Sequence, residues 1–159
     1  MNPPLSFYVP GIPAGTPRPR AARMGGFIRI YSQTRIKNKT TGVSKIHPCE
    51  TWKRQIHQIF TEERPAGWVM TGPVKLTLVF MMPRPKSHYN KHGALKPTAP
   101  KYATAKPDWD NLGKAVCDQL TDSGAWHDDA AVVIGLVSKQ YEVAPNTSGC
   151  HVTIAEVCE

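Results

Sequence analysis

Fifteen prolines and twelve glycines punctuate a chain of 159 residues, and their placement limits where regular structure can run. The apolar run Ser6-Phe-Tyr-Val is stopped by Pro10-Gly11, and Pro13, Gly15, Pro17 and Pro19 follow at once. Each proline locks φ and removes a backbone donor, so neither a long helix nor a central strand fits residues 10–19. A chain of this length can bury roughly 70% of its unfolded surface in one domain. The expectation is a small core that carries long irregular segments.

Between those breaks, residues 6–10 read as a short opening strand. Residues 15–48 show no sustained periodicity and read as an exposed basic arm or loop, with Phe27 and Tyr31 interleaved among the cations. Thr51 is placed to cap a helix over 51–64, where Trp52, Ile56, Ile59 and Phe60 recur at helical spacing before Pro65-Ala-Gly67. Val74–Met82 begins with period-two alternation and reads as a strand between Gly72-Pro73 and Pro83. A second basic loop covers 84–106, and a second helix covers about 110–121 on the stripe Leu112, Val116, Leu120. Strands at 131–141 and 150–157 flank a turn at 145–149. The order predicts an α+β fold, one small domain over 1–159 with a mixed sheet of about four strands, two main helices and long basic loops.

Lysine and arginine number 20 against 12 acidic residues, a formal net charge of +8 with a pI near 9.5. Clustered cations gain free energy by displacing counterions from phosphates, so nucleic acid is the expected partner. No acidic residue precedes Glu50, and none lies between Glu63 and Asp108. The cations of these two stretches, Arg18, Arg20, Arg23, Arg29, Arg35 and Lys37, then Lys86 and Lys106, are the candidate DNA contacts. The opening Met-Asn-Pro-Pro has no signal-peptide character, and Ala130–Val137 is too short to span a bilayer. The expectation is a cytoplasmic protein without a membrane partner. Cys49, Cys117, Cys150 and Cys158 form no CxxC knuckle and read as reduced thiols. A zinc site assembled from Cys49, His47 or the pair His88 and His92 is the alternative.

Against this basic background, six of the twelve acidic residues fall in one window: Asp108, Asp110, Asp118, Asp122, Asp128 and Asp129. Like charges gathered this way are costly unless a cation or a reaction uses them. Pro107 biases its predecessor to extended backbone, and in an extended chain Asp108 and Asp110 would point to one side while Trp109 turns away. Hard divalent cations, above all Mg²⁺, take such oxygen ligands. Helix capping accounts for one aspartate but not for two. Asp128-Asp129 follow the second helix and are placed to return to the first pair, although a plain polar turn is the simpler role. Gly113 suits close approach by a ligand, and Lys114 lies one helical turn after Asp110, either as an ion pair or as a phosphate contact. Asp118 and Asp122 read as solvated helix surface.

The run Lys106-Pro-Asp-Trp-Asp-Asn-Leu-Gly-Lys-Ala115, with Asp118, Leu120, Trp126, Asp128-Asp129 and Val132-Val133 after it, resembles the RusA family of Holliday junction resolvases. Pro17-Arg-Pro-Arg20 and the basic, aromatic stretch after it are similar more loosely. The resemblance implies a small endodeoxyribonuclease of bacteria or their phages, dependent on Mg²⁺ with Mn²⁺ as a substitute. It implies a homodimer that nicks two opposed strands of a four-way DNA junction in recombination and repair. It makes Asp108, Asp110 and Asp129 the metal-binding carboxylates, with Asp128 a weaker candidate, and Lys114 the catalytic lysine. Ala131 departs from the polar residue expected there, and the arm from Gly15 to His47 is longer than in the shortest members. Two symmetric nicks are most simply made by two copies of one site about a two-fold axis.

Three rivals make different demands. A DNA-binding or architectural module would bind in a salt-sensitive way without cleavage. A nuclease for forks, flaps or duplex would cut those as readily as a junction. A zinc-stabilised interaction domain would carry stoichiometric metal.

Overall fold

The computed structural model describes residues 2–17, 19–31 and 35–157. Eight strands and two main helices form: β1 Leu5–Pro10, β2 Arg20–Met24, β3 Phe27–Tyr31, β4 Arg35–Lys37, β5 Ser44–Ile46, α1 Pro48–Glu63, β6 Val74–Met82, α2 Trp109–Asp122, β7 Val132–Tyr141 and β8 Gly149–Glu156. Short 3-10 turns cover Lys86–His88 and Asp129–Ala131. The central sheet runs β1-β8-β6-β7, antiparallel except for the parallel pair β6–β7. The α+β class and the four-stranded mixed sheet are as the element order predicts.

The two helices bury their apolar stripes on the sheet. From α1 come Cys49, Trp52, Ile56 and Phe60, and from α2 come Leu112, Ala115, Val116 and Leu120. The sheet answers with Phe7, Val9, Leu76, Leu78, Phe80, Val152 and Ile154. Alternation along β6 sends Val74, Leu76, Leu78 and Phe80 into this core while Lys75 is exposed. Gly113 lies where α2 meets β7, and a Cβ there would stand 3.2 Å from Val137 Cγ2. The close approach that this glycine permits is thus by a strand of the fold, rather than by the ligand expected from the sequence.

Element boundaries shift for identifiable reasons. Helix α1 starts at Pro48, because His47 Nδ1 accepts the Cys49 N–H at 3.1 Å and proline suits the first helical position, so Thr51 lies inside the helix. Helix α2 starts at Trp109, with Asp108 at the N-cap position. The largest difference lies in residues 15–48. Instead of an unstructured arm, the described part folds into two antiparallel hairpins, β2–β3 and β4–β5. Left-handed Gly25 turns the first and left-handed Gly42 lies in the turn of the second. Strand periodicity was invisible here because both faces of these ribbons are largely exposed and neither needs to be apolar throughout. Arg18 lies outside the described residues, as does Cys158; Cys49 and Cys150 are buried free thiols and Cys117 is half-buried.

The basic loop after β6 is tied down by a buried acid. Glu142 accepts hydrogen bonds from Arg84 N at 3.1 Å, Thr147 N at 3.2 Å and Ser148 Oγ at 2.7 Å. Arg84 in turn donates to Glu142 O and Pro100 O and covers the Tyr141 ring. A buried carboxylate is tolerated only when its lone pairs are used, as here. Glu142→Ala removes the acceptor for three donors at once. It is expected to lower unfolding free energy by about 2–3 kcal/mol, measured by urea denaturation.

Candidate active site

The chain enters the site through residues 105–108. Lys139 on β7 donates from Nζ to Ala105 O at 2.6 Å and to Pro107 O at 2.8 Å, which fixes the backbone immediately before Asp108. The Lys106–Pro107 peptide is cis. Lys139 is a site-positioning residue that the sequence did not single out, because its partners are carbonyls 32 and 34 residues away.

Because Trp109 already belongs to the helix, Asp108 and Asp110 are not two residues of an extended strand. Successive helical residues are turned by about 100°, so positions two apart face apart. The structure bears this out: the two aspartates open on different clefts. A cleft of about 270 Å³ between α2 and strands β6 and β7 is lined by Trp109, Asp110, Gly113, Lys114 and Cys117, with Leu76, Leu78 and Val137 on the strand side. On the other flank, a cleft of about 530 Å³ holds Asp108, Asn111, Lys106 and Pro107 together with residues 12–17 and His47-Pro48. The N-terminal segment closes on the helix there, since Thr16 N donates to Asn111 O at 3.4 Å. Asp108 is half-buried and its side chain makes no capping hydrogen bond to α2, whereas Asp110 is exposed in the first turn.

Lys114 carries the clearest electrostatic signature. Its Nζ donates to Asp118 Oδ1 at 2.9 Å, so the i,i+4 pair forms with Asp118 and not with Asp110. That hydrogen bond and the charge of Asp118, aided by Asp129, raise the lysine pKa above its ordinary value. Asp118, which reads from sequence as solvated helix surface, holds this lysine in place, and the i,i+4 spacing forward from Lys114 is the signal for it. Burial, then Asp129 and Asp118, push the neighbouring Cys117 thiol to about 11, so it stays protonated. Asp129 thus acts on two side chains of the first cleft. It opens the 3-10 turn before β7, and Asp128 holds that turn by accepting the Ala130 N–H at 2.8 Å. Ala131, where a polar residue was expected, packs against the core.

The described cations expected to meet DNA lie on the hairpins and on the loop after β6. Arg20, Arg23 and Arg29 lie on the β2–β3 hairpin, and Arg35 and Lys37 on β4–β5. Arg20, Ile36, Lys37 and Lys39 line a shared recess of about 660 Å³, so the two hairpins present one basic surface. Lys86 begins the 3-10 turn of the loop after β6, and Lys106 borders the second cleft beside Asp108.

A lysine paired with a carboxylate on the wall of a cleft, in a chain whose hairpins display clustered cations, suits the holding and cleaving of a phosphate in a polyanion; the class is a nucleic-acid hydrolase. The family model for endodeoxyribonuclease RusA matches residues 10–154, nearly the whole chain, and the chain belongs to that family. It is an endodeoxyribonuclease that hydrolyses phosphodiester bonds and resolves Holliday junctions, with branched DNA as substrate and a divalent metal as its requirement. No curated protein matches the sequence. Among the described residues no helix is long and apolar enough to cross a membrane.

The donors present fit a hard cation in kind, being carboxylate oxygens, but among the described residues no three acidic, histidine or cysteine side chains gather to hold a metal. A magnesium ion commonly takes one or two protein carboxylates and completes its shell with water and substrate phosphates. Asp110 on α2 and Asp129 in the turn before β7 are the carboxylates that would supply such ligands. Asp118→Asn should lower the Lys114 pKa toward that of a free lysine. The expected readout is faster labelling of Lys114 by an amine-reactive reagent at about pH 9, mapped by mass spectrometry; an unchanged rate would show that Asp118 does not hold the ammonium.

Proposed function

We propose that this chain acts as a homodimeric, Mg²⁺-dependent junction resolvase in the bacterial cytoplasm. Asp108, Asp110 and Asp129 serve as the metal-binding carboxylates and Lys114 as the catalytic cation. Mn²⁺ substitutes for Mg²⁺ because both accept oxygen ligands in octahedral geometry. The observation that supports this most is the placement of Lys114: a lysine held by Asp118, in the field of Asp129, and sharing a cleft with Asp110.

Each group then has a physical role. The hairpin arginines and lysines bind the phosphates of the arms and fix the junction by shape, with base sequence secondary. Lys114 contacts the scissile phosphate and stabilises the charge that develops on it, a task for which an ammonium held in place by Asp118 is suited. Asp110, in the first turn of α2, and Asp129, before β7, would hold the divalent cation. Asp108, which opens on the other flank of the helix end and whose preceding backbone Lys139 pins, would join them through a water in the shell of the ion. Asp128 shapes the turn that presents Asp129. The chemistry that a divalent ion supplies at such a site is activation of water for in-line attack and neutralisation of the leaving oxygen.

Incubation of a synthetic four-way junction with Mg²⁺ tests the assignment. The wild-type chain should make paired, symmetric nicks, and Asp110→Asn should slow them at least about 100-fold while junction binding survives. Undiminished nicking by Asp110→Asn would remove that carboxylate from the site. Sedimentation of the wild-type chain at twice the monomer mass is the companion expectation for the homodimer.

A further inference from the structure

The β2–β3 ribbon carries apolar surface that the fold does not use. Among the described elements its two strands make their main contacts with one another, and a lone two-stranded ribbon gains little in water by exposing large apolar side chains. Met24 and Phe27 form the last cross-strand pair before the Gly25-Gly26 turn and are 62% and 82% exposed. Strand alternation puts Ala22 and Arg20 on the face of Met24, and the register puts Arg29 opposite Ala22 on that same face. Read from its tip, one face of the ribbon thus runs from an apolar pair to Arg29 and then to Arg20, in steps of about 7 Å.

We propose that this tip is the branch-point probe of the enzyme: Phe27, backed by Met24, inserts between bases at the crossover while Arg29 and Arg20 hold the flanking phosphates. The proposal rests on the junction-resolving reading of the chain and names the residues that select the junction. Three features favour DNA as the occupant. No carboxylate occurs before Glu50, so the ribbon and its neighbour β4–β5 offer only positive charge to whatever they meet. A second copy would bring the same arginines and the same net charge of +8, a like-charge contact that costs free energy. Phenylalanine and methionine are side chains that proteins use as wedges between base steps, and a narrow ribbon is a shape that a groove admits. Insertion costs least where stacking is already interrupted, as at a branch point, and most in continuous duplex. The tip therefore favours the junction over linear DNA without reading sequence.

The experiment uses a junction carrying 2-aminopurine at the branch point and the full-length Asp110→Asn protein, so that the DNA stays intact. Binding should raise the fluorescence severalfold as the base unstacks. Addition of Met24→Ala and Phe27→Ala should abolish the rise, and Phe27→Trp should keep it. In the cleaving enzyme, the same double substitution should slow junction nicking about tenfold at saturating protein, with affinity for linear duplex changed less than about twofold. A fluorescence rise or nicking rate that persists in the double variant would overturn the proposal. So would a fall of the double variant to monomer mass in sedimentation, which would make the tip a subunit contact. Failure of the underlying reading is seen separately, as a wild-type chain that does not nick the junction at all. Both side chains point into solvent, and unchanged thermal unfolding of the double variant confirms that only the tip was altered.

Discussion

The packing of α2 across the parallel pair β6–β7 is the constraint on which the rest depends. A parallel pair requires a crossover, and here the crossover is the loop after β6 followed by α2 itself. Gly113 lets the helix settle against Val137, and Leu112, Val116 and Leu120 lock it over the sheet. Once that contact is made, the first cleft exists, with Asp110 and Lys114 on its helical side and the apolar β6 and β7 side chains opposite. The turn that carries Asp129 must then lie close enough for its charge to reach Lys114 and Cys117.

Charge in this molecule is sorted along the chain. Cations occupy the outlying hairpins and the loop after β6, whereas half of the carboxylates crowd along α2 and the turn behind it. The arrangement reconciles two opposed demands. A polyanion must be attracted from afar, yet carboxylates repel it at close range. In the proposed function the cations of the hairpins meet the first demand, and Lys114 with a divalent cation meets the second. Elsewhere charge is spent on architecture. Glu142 organises the chain around Arg84, and Lys139 fixes the approach to Asp108.

Much of the fold was legible because burial imposes period. The stripe of α2, the alternation at the start of β6 and the closing strands each face one core, so their apolar spacing repeats. The hairpins were not legible, since ribbons exposed on both faces have no reason to alternate and their pairing is recorded only in backbone hydrogen bonds. The start of α1 was missed for a related reason. A histidine is a less common cap than a threonine, and its selection depends on Pro48 and on the burial of Cys49 beside it.

By itself the sequence determined the α+β class, the basic character of the chain and the acidic window from Asp108 to Asp129, because composition and local spacing suffice for each. The tertiary structure alone decided how that window is used. It separated Asp108 from Asp110 onto two flanks of one helix end, gave Lys114 to Asp118, and turned Gly113 from a presumed ligand approach into a helix–strand contact. It also raised Phe27 and Met24 to the tip of a ribbon. The physical reason is common to all four. Which way a side chain points is fixed by helix phase and strand register, and both are set by contacts between residues far apart in the chain.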